Sequence, residues 1–512
     1  MFCEVFSTMI QGITAHIVSV ETDVGRGLPV FDMGGYLSGE VKEAKERVRV
    51  ALRNSGYEWK PQRITINISP ADLRKDGTGF DLPIALGILG ANGEINPAVF
   101  QDMIAIGELS LDGTVNPVNG ILPSVSEAAE NGFKRCILPR ENYMEGKVVE
   151  GIEVIAVHSI KEAVEYLNDG VMPTEPQTVQ IPSFSRYDEE LDFADIRGQE
   201  TAKRATMIAV AGMHNILYVG SPGSGKTMLA RRIPSIMPTM TLEERLNLTK
   251  IYSIAGLINQ KAPLITKRPF RCPNHNITTT ALLGGGRIPM PGEATLSGKG
   301  VMFLDELTEY KPAVLESLRQ PLEDKKVVIV RLKETCVYPA DFMLAAAMNP
   351  CRCGYYPDRN RCSCTEQDIR RFLGKISRPL WDRFDVCIQV NDVGFNQIRS
   401  TRMDSQWTSE YMRQKVEKAR IRQLQRFSKS GIYFNAQMNS RQIQEFCILG
   451  SKEQELMDKI YDKFHLTARG YHKILKTART IADIEEQEQI TAEHLSEALS
   501  YRSYQSVIGE RI

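Results

Sequence analysis

The sequence has no apolar run of the length needed to cross a membrane, so we expect no membrane-spanning segment. Its first residues lack the basic segment and long apolar core of a secretory signal, so a cytoplasmic protein is expected. Repeats and low-complexity tracts are missing too. Net charge is absent, because 63 basic and 63 acidic side chains cancel. Any contact with nucleic acid must therefore come from a local patch.

Disulfides are not expected, because the ten cysteines of a cytoplasmic protein are more often thiols or metal ligands. Four of them form two close pairs around a loop of turn residues: Cys351, Cys353, Cys362 and Cys364. Four thiolates can form a closed tetrahedral Zn²⁺ site. The one-residue spacing within each pair is less typical than a two-residue spacing, so reduced thiols in a surface loop are the alternative. The same loop carries three arginines able to reach phosphates: Arg352, Arg359 and Arg361.

A phosphate-binding loop is the most specific motif present. Residues 220–227 match the pattern G-x-x-x-x-G-K-[ST] and comprise Gly220, Ser221, Pro222, Gly223, Ser224, Gly225, Lys226 and Thr227. The glycines let backbone N–H groups face phosphate oxygens, Lys226 supplies a positive charge, and Thr227 supplies a hydroxyl for Mg²⁺. The apolar run Ile216–Val219 precedes the loop, and helix formers follow it at Met228–Ile233. This order of strand, loop and helix predicts an ATP site.

An acidic motif lies downstream of the loop. The apolar run Val301–Leu304 predicts a buried strand, and Asp305 and Glu306 follow it directly. Asp305 would hold Mg²⁺, and Glu306 would orient and deprotonate the attacking water. Two solvated acids at a strand end are the alternative. Beside a phosphate loop, the pair predicts ATP hydrolysis.

Residues 171–190 divide the chain, since prolines among small and polar residues favour an extended linker. Before it, residues 1–170 alternate strand-like and helix-like runs, which predicts a separate domain. After it, residues 191–395 hold the nucleotide motifs, with a four-cysteine insert at 351–364. Residues 396–512 are predicted to be mostly helical. The fold class expected for the second half is therefore an α/β core followed by helices.

Several stretches, in order along the chain, resemble magnesium-chelatase-like AAA+ ATPases of the ComM/YifB family: Asp195–Gln199, residues 220–227, Gly284–Gly286, Pro291–Glu293, Leu304–Leu307, Ala345–Pro350, Pro379–Asp385 and Ala468–Tyr471. The whole chain resembles this family, and together these stretches cover nearly its full length in the right order. The resemblance implies an AAA+ P-loop ATPase core with a C-terminal helical lid. It also implies ATP and Mg²⁺ as ligands and assembly into a ring of identical subunits, with a hexamer as the family's form.

The resemblance assigns roles to three further residues. Asn349 matches the first sensor, which polarises the lytic water; a turn residue before proline is the alternative. Arg383 matches the arginine finger that reaches a neighbouring subunit's ATP, and an ion pair with a nearby aspartate is its alternative. Arg469 matches the second sensor, which closes the helical lid on the nucleotide, or is a surface arginine. Arg378 stands where the family usually has glycine, and it is a second candidate for the finger.

Residues 1–170 resemble the proteolytic domain of Lon proteases. Lon carries its serine nucleophile in Lys-Asp-Gly-Pro-Ser-Ala-Gly, whereas Lys75–Asp81 here place Gly79 at that position. Leu122 stands where Lon has its lysine, after Pro-Ile-Gly-Gly-Leu. A serine nucleophile needs a nearby base, and both groups are missing. The resemblance therefore implies a Lon-protease-like α+β domain without proteolytic activity, serving ring assembly or DNA contact.

Two segments are candidates for substrate contact. Residues 411–430 hold seven Lys or Arg and a single acid, a strip able to follow a DNA backbone. A solvated helix face is the alternative for this strip. Residues 284–300 combine glycine and proline turn signals with Lys299, which favours either a flexible loop lining a ring pore or a structural loop.

Together these features predict a ring-forming AAA+ ATPase that acts as a DNA motor. The resemblance implies branch migration or helicase activity on branched or single-stranded DNA, in recombination and natural transformation and alongside recombination proteins. A chelatase-type, ATP-driven protein remodeller is the alternative. Gly79 and Leu122 argue against an ATP-dependent protease, and Glu306 and Asn349 argue against a scaffold that binds ATP without hydrolysing it.

Overall fold

The chain divides into two compact units. The computed structural model describes residues 1–174, 191–259, 262–331, 335–394 and 407–509, with the backbone alone for 503–509. Most of the predicted linker, residues 175–190, lies outside the described residues. The first unit contains Met1–Phe184 and Leu242–Thr266, and the second contains Ser185–Thr241 and Lys267–Ile512.

Strands and helices alternate through most of the described residues. The strands are β1 (Phe2–Gln11), β2 (Thr14–Gly25), β3 (Val30–Gly34), β4 (Arg63–Ser69), β5 (Met103–Ala105), β6 (Glu108–Leu109), β7 (Val115–Asn116), β8 (Arg135–Pro139), β9 (Glu153–Val157), β10 (Ile216–Gly220), β11 (Phe270–Arg271), β12 (Gly284–Gly285), β13 (Met290–Pro291), β14 (Val301–Leu304), β15 (Lys326–Val330), β16 (Thr335–Pro339), β17 (Met343–Met348) and β18 (Val386–Val390). The helices are α1 (Gly39–Asn54), α2 (Asp81–Asn92), α3 (Ile121–Glu130), α4 (Tyr143–Gly146), α5 (Ile160–Asp169), α6 (Glu200–Gly212), α7 (Lys226–Ile236), α8 (Leu242–Ile254), α9 (Thr279–Leu283), α10 (Glu293–Leu296), α11 (Pro312–Ser317), α12 (Arg319–Asp324), α13 (Glu366–Leu373), α14 (Arg378–Trp381), α15 (Ser409–Arg426), α16 (Ser440–Phe446), α17 (Ser451–Lys463), α18 (Ala468–Ile484) and α19 (Ala492–Gly509).

A mixed sheet organises the first unit, with the strand order β3-β4-β2-β1-β5-β8-β9. β1 and β2 form a long antiparallel pair, whereas β8 and β9 run parallel. Helix α2 packs on β1 and β2, and its buried Leu86 shares a core with Val5 and Ile66. The alternation of strands and helices predicted for residues 1–170 is confirmed.

Helix α8 packs with the first unit, although it lies within the range 191–395 in which the sequence placed the ATPase core. The amide of Gly120, just before α3, donates to the Ser253 carbonyl at 3.2 Å. The Ser253 hydroxyl donates to the buried Glu145 carboxylate, which also accepts from the amide of Leu122 at 2.9 Å. Since these groups are buried, their hydrogen bonds fix the segment 242–266 on the first unit.

A parallel sheet organises the second unit, with the strand order β11-β14-β17-β10-β18. β10, β14 and β17 are buried along their whole length, as expected for parallel strands covered on both faces. Because the carboxyl ends of parallel strands meet at one edge, the segments that follow β10, β14, β17 and β18 lie side by side. This edge carries the predicted nucleotide motifs.

The C-terminal helices complete the core of the second unit. Helix α15 packs against α6 and α7 and buries Met412, Val416 and Ala419, the apolar face predicted for this helix. Helix α18 packs against α15 and α6. Within the described part of the chain, no helix has both the length and the apolar character needed to cross a membrane.

Candidate nucleotide site

The phosphate loop connects β10 to α7 in the predicted order. Gly223 and Gly225 have φ angles of 80° and 94°, in the left-handed region that favours glycine. A Cβ atom on Gly220 would lie 2.3 Å from the carbonyl oxygen of Val390, so the approach of β18 requires glycine there. The hydroxyl of Ser224 is buried and has no hydrogen-bond partner among the described residues. These features give a tight backbone turn at a helix N-terminus, which fits an anion such as phosphate.

Lys226 lies across the loop. Its Nζ donates to the carbonyl oxygens of Gly220 at 2.9 Å and Ser221 at 2.7 Å, and to Oδ1 of Asn349 at 3.2 Å. Burial lowers the pKa of Lys226, while the carboxylates of Asp305, Asp392 and Glu306 act in the opposite direction. The loop thus presents a cation directly beside the predicted sensor amide.

Oxygen ligands for a divalent cation lie at the end of β14. The Thr227 hydroxyl donates to Oδ2 of Asp305 at 2.9 Å. A hydroxyl and a carboxylate in contact, facing a phosphate loop, are the ligand types that Mg²⁺ takes in nucleotide sites. Glu306 has a φ angle of 51°, an uncommon conformation for a residue other than glycine. The backbone amide of Glu306 donates to Oδ1 of Asp305 at 3.0 Å, so this turn fixes the Asp305 carboxylate.

The loop, the two acids and Asn349 meet in one cleft of about 580 Å³. Lys226, Thr227, Asp305, Glu306 and Asn349 line it, together with residues that the sequence did not single out for this cleft, among them His275, Glu309 and Phe372. These side chains belong to helices, loops and strand ends that are distant in sequence, so no local pattern could have joined them.

The two predicted arginines lie elsewhere. Neither Arg383 nor Arg469 lines the cleft, and both approach Glu323 on α12. Arg383 is mostly buried and forms an ion pair with Glu323; Arg469 is largely exposed, with its guanidinium 3.7 Å from the same carboxylate. Arg378 is exposed, and the described residues give it no ion pair. The partner of Arg383 is therefore a distant glutamate and not a neighbouring aspartate.

A largely buried ion pair holds the segment that carries Arg383. Asp385 accepts from Lys473 of α18 at 3.0 Å and from the backbone amide of Asn215 at 3.1 Å. Burial acts to raise the pKa of Asp385, but the nearby Lys473 and His214 hold it well below its usual range. The carboxylate form is thereby stabilised, and it joins the C-terminal helices to the segment that carries Arg383.

We expect Asp385→Asn to destabilise the second unit by roughly 2–4 kcal/mol, because it leaves the largely buried ammonium of Lys473 without its counter-charge. Since the folded pKa of Asp385 is depressed, its stabilisation is present above about pH 4 and is lost as the pH falls toward the folded value. Thermal unfolding at pH 7.5 measures the change. Asp382→Asn is the matched control, because Asp382 is more exposed and its nearest cations lie 4.0 Å away; an equal loss in both variants would contradict this role of Asp385.

The four clustered cysteines converge as predicted. Their sulfur atoms all lie within 4.8 Å of one another, with Cys351 and Cys353 at 3.3 Å and Cys353 and Cys362 at 3.5 Å. All four, including Cys364, are free thiols. The insert at 351–364 therefore gathers four potential metal ligands at one point.

The basic strip at residues 411–430 is not an open cationic face. Glu486 pairs with Lys415 at 3.3 Å and with Lys418 at 3.0 Å. The other cations with protein partners are Arg413 on Glu410, Arg420 on the Tyr433 carbonyl, Arg422 on the Glu486 carbonyl and Arg426 on Asp483. The solvated, internally paired helix face, given above as the alternative, fits this geometry better than a DNA-binding strip.

The segment 284–300 forms a short hairpin followed by a helix. β12 and β13 pair antiparallel, and their turn exposes Arg287 and Ile288. A second hairpin, β15–β16, lies beside it: Arg331 donates to the Gly286 carbonyl at 3.2 Å and the Tyr338 hydroxyl to the Pro289 carbonyl at 2.7 Å. Lys299, singled out in the sequence, pairs instead with an aspartate. The exposed part of the segment is thus the first hairpin.

Comparison with known proteins identifies the family. Residues 192–398 match the family model described as magnesium chelatase, subunit ChlI, and residues 406–502 match its C-terminal model. A further model, subunit ChlI of Mg-chelatase, matches residues 20–142. Competence protein ComM of Haemophilus influenzae is 39% identical over 507 residues, which cover 98% of this chain and 97% of ComM. The chain belongs to the ComM/YifB family of magnesium-chelatase-like AAA+ proteins.

Other relatives agree with this assignment. YifB of Escherichia coli is 36% identical over 492 residues, covering 96% of this chain and 95% of YifB. Lon protease 2 of Bacillus subtilis is 33% identical over 126 residues, which are 24% of this chain and 22% of the protease. The predicted fold class is confirmed: an ATP-binding AAA+ core of parallel strands with C-terminal helices, preceded by a domain of strands and helices that is partly similar to Lon.

Proposed function

We propose that this ComM/YifB-family protein is a ring-forming ATPase that uses ATP hydrolysis to move DNA, with branch migration during recombination and natural transformation as its task. The observation that carries the proposal is the cleft in which Lys226, Thr227, Asp305, Glu306 and Asn349 meet. A nucleotide-binding scaffold needs the loop and its lysine. It has no need of a carboxylate and an amide that line the same cleft.

Each side chain of the cleft has a separate role in the proposed hydrolysis of ATP. Lys226 neutralises charge on the terminal phosphates of ATP, and the loop amides cradle them. Thr227 and Asp305 would hold Mg²⁺, which supplies further positive charge to the phosphates. Glu306 accepts a proton from the attacking water, while the Asn349 amide orients that water. Each role requires an atom that this cleft presents.

The position of the two arginines supports a ring. Arg383 and Arg469 gather at Glu323 and do not line the cleft of their own chain. If Arg383 acts on ATP, that ATP must therefore be bound by a neighbouring subunit, as with an arginine finger. The family's form implies a hexamer. In such a ring, Glu323 holds the guanidinium of Arg383 until phosphate oxygens of the adjacent site compete for it.

The paired hairpins β12–β13 and β15–β16 are the surface proposed to contact DNA. Their exposed cations include Arg287, Lys326 and Arg331, and the apolar side chains of Ile288 and Val330 are 40% and 67% exposed. Cations would contact phosphates, and apolar tips would contact bases or sugars. The hydrogen bonds between the hairpins would let them move together during ATP turnover.

Branched DNA is expected to raise the ATPase rate, with an effect that weakens steeply as salt increases, because phosphate contacts release counterions. Arg287→Ala should reduce this stimulation several-fold without changing the rate in the absence of DNA. Lys418→Ala is the matched control, since Lys418 belongs to the internally paired helix. Steady-state phosphate release with a four-way junction, with duplex and without DNA measures both variants.

The outcome of this assay separates the competing functions. Loss of stimulation in Lys418→Ala but not in Arg287→Ala would indicate that α15, and not the hairpins, contacts DNA. An ATPase rate indifferent to every DNA, but raised by a protein partner, would favour the chelatase-type remodeller. The remodeller is the second candidate because the family models are those of a magnesium-chelatase subunit. A protease is disfavoured, since Gly79 and Leu122 occupy the positions of the serine and lysine.

A further inference from the structure

The four-cysteine cluster has the dimensions of a metal site. A zinc ion with four thiolates at about 2.3 Å would hold its sulfurs about 3.8 Å apart. The observed separations are 3.3 Å for Cys351 and Cys353, 3.5 Å for Cys353 and Cys362, and 3.7 Å for Cys351 and Cys362. A disulfide would place two sulfurs about 2.05 Å apart, so the cluster is not built as a pair of disulfides. Soft thiolate ligands in a closed set of four favour Zn²⁺ over Mg²⁺ or Ca²⁺.

The polypeptide around the cluster has no regular secondary structure to fix it. Residues 351–364, all of them described, form turns and irregular backbone without a helix or strand. Residues 357–361 are exposed. A loop of this kind would sample many conformations, and a metal that joins both of its ends removes most of that freedom.

The cluster contacts the nucleotide site at the phosphate loop. A Cβ atom on Gly354 would lie 2.4 Å from Cδ of Pro222, so the backbone beside Cys353 rests directly on the loop. Arg361, next to Cys362, pairs with Asp392 at 2.9 Å, and Asp392 in turn accepts from the Ser221 hydroxyl. The cluster is thus joined to the loop from both ends of the insert.

Arg352 places a cation from the cluster in the ATP cleft. It lies between Cys351 and Cys353, three residues after Asn349, and lines the cleft with Lys226 and Glu306. Its side chain is exposed, and the described residues give it no salt bridge. A guanidinium held in this position is suited to phosphate oxygens, which it binds through paired hydrogen bonds.

We propose that Cys351, Cys353, Cys362 and Cys364 bind one Zn²⁺ as thiolates. The ion would hold the insert so that Arg352 lies in the ATP cleft and contacts phosphate. Zinc replaces the four thiol protons, which pass to solvent. The metal site is independent of the proposed function, whereas the role of Arg352 rests on ATP being bound in the cleft. Arg352 then supplies a second cation in its own subunit, in addition to the arginine from the neighbour.

The metal is tested by elemental analysis of full-length protein purified without chelator. We expect about one zinc per chain, and loss of that zinc in the double variant Cys353→Ser, Cys362→Ser. Cys272→Ser is the control, because it removes an exposed thiol outside the cluster and should keep the zinc. Protein that contains no zinc and takes up none when ZnCl₂ is added would overturn the metal site, as would equal zinc content in the double variant.

The role of Arg352 in ATP binding is tested with variants that keep the metal. Arg352→Ala should retain zinc and weaken binding of a fluorescent ATP analogue roughly tenfold or more, since it removes a charge-assisted contact to phosphate. Arg352→Lys should restore part of the affinity. Arg359→Ala, checked to retain zinc because Arg359 also donates to the Cys364 carbonyl at 2.9 Å, should leave affinity unchanged, since Arg359 pairs with Glu366 and does not line the cleft. Unchanged ATP affinity in Arg352→Ala would overturn the role of this arginine.

Removing the metal tests whether zinc affects ATP binding through Arg352. Zinc extraction with a chelator, followed by a check of secondary structure and assembly, should lower ATP affinity as Arg352→Ala does, and ZnCl₂ should restore it. Extraction from Arg352→Ala should then add little. Full ATP affinity in zinc-free wild-type protein would show that zinc does not position Arg352 for phosphate, while the zinc site itself would stand. Zinc-loaded protein that binds ATP but never hydrolyses it would instead overturn the proposed function.

Discussion

Glu306→Gln is expected to abolish ATP turnover while leaving ATP bound. The change keeps the size of the side chain but removes the carboxylate that we propose accepts the proton of the attacking water. Loss of a general base lowers rates by about 10²–10⁴-fold. Lys226 and Thr227 remain in place, so affinity for ATP should not fall. Phosphate release and binding of a fluorescent ATP analogue, measured on the same preparation, give the two quantities.

Lys226→Ala is the contrasting variant, because it removes the cation that lies across the loop. It should lose ATP binding and turnover together. Normal turnover in Glu306→Gln would show that another group accepts the proton, and Glu309, which lines the same cleft, would be the next acid to examine. Unchanged ATP binding in Lys226→Ala would contradict the assignment of the loop itself.

Arg383→Ala is expected to lower turnover about 10³-fold or more if Arg383 is the finger, since a finger stabilises charge in the transition state. Because the finger acts on the neighbour's ATP, this variant keeps an intact cleft. Lys226→Ala keeps an intact finger but lacks a working loop. Mixing the two inactive proteins should therefore restore activity, as mixed rings place a wild-type finger against a wild-type cleft.

Arg378→Ala is the matched control for the mixing experiment, because Arg378 lies in the same segment and is exposed. If Arg378→Ala is inactive and Arg383→Ala is active, the finger is Arg378, and the ion pair of Arg383 with Glu323 is structural. If the mixture of Arg383→Ala and Lys226→Ala stays inactive although mixed assemblies form, the arginine does not act between subunits. Either result would contradict the role given to Arg383.

Local patterns predicted the parts of the site that depend on local chemistry. The glycines of the phosphate loop, the apolar strand before Asp305 and the strand before Asn349 each carry their signal within a few residues, and the structure contains β10, β14 and β17 at these places. Parallel pairing then brings the strand ends to one edge, which is a general property of such sheets. The cleft could therefore be expected in outline.

Contacts between distant residues could not be predicted in this way. The strip at 411–430 has the composition of a DNA-binding helix, and only the fold shows Glu486 beside Lys418, 68 residues away. The ion pair of Arg383 with Glu323 spans 60 residues. Helix α8 lies between ATPase motifs in the sequence, yet the buried Glu145 holds it on the first unit. In each case tertiary packing brings the two partners together, and such a contact has no local pattern in the sequence that could predict it.

The central claim is that ATP hydrolysis in this cleft drives movement of DNA branches. It is tested most directly by strand exchange on a labelled four-way junction with homologous arms, followed over time by gel electrophoresis. We predict exchanged products with wild-type protein and ATP, and none with a non-hydrolysable ATP analogue or with Lys226→Ala. Equal product with the analogue and with ATP, or no product from assembled protein that hydrolyses ATP, would contradict the account.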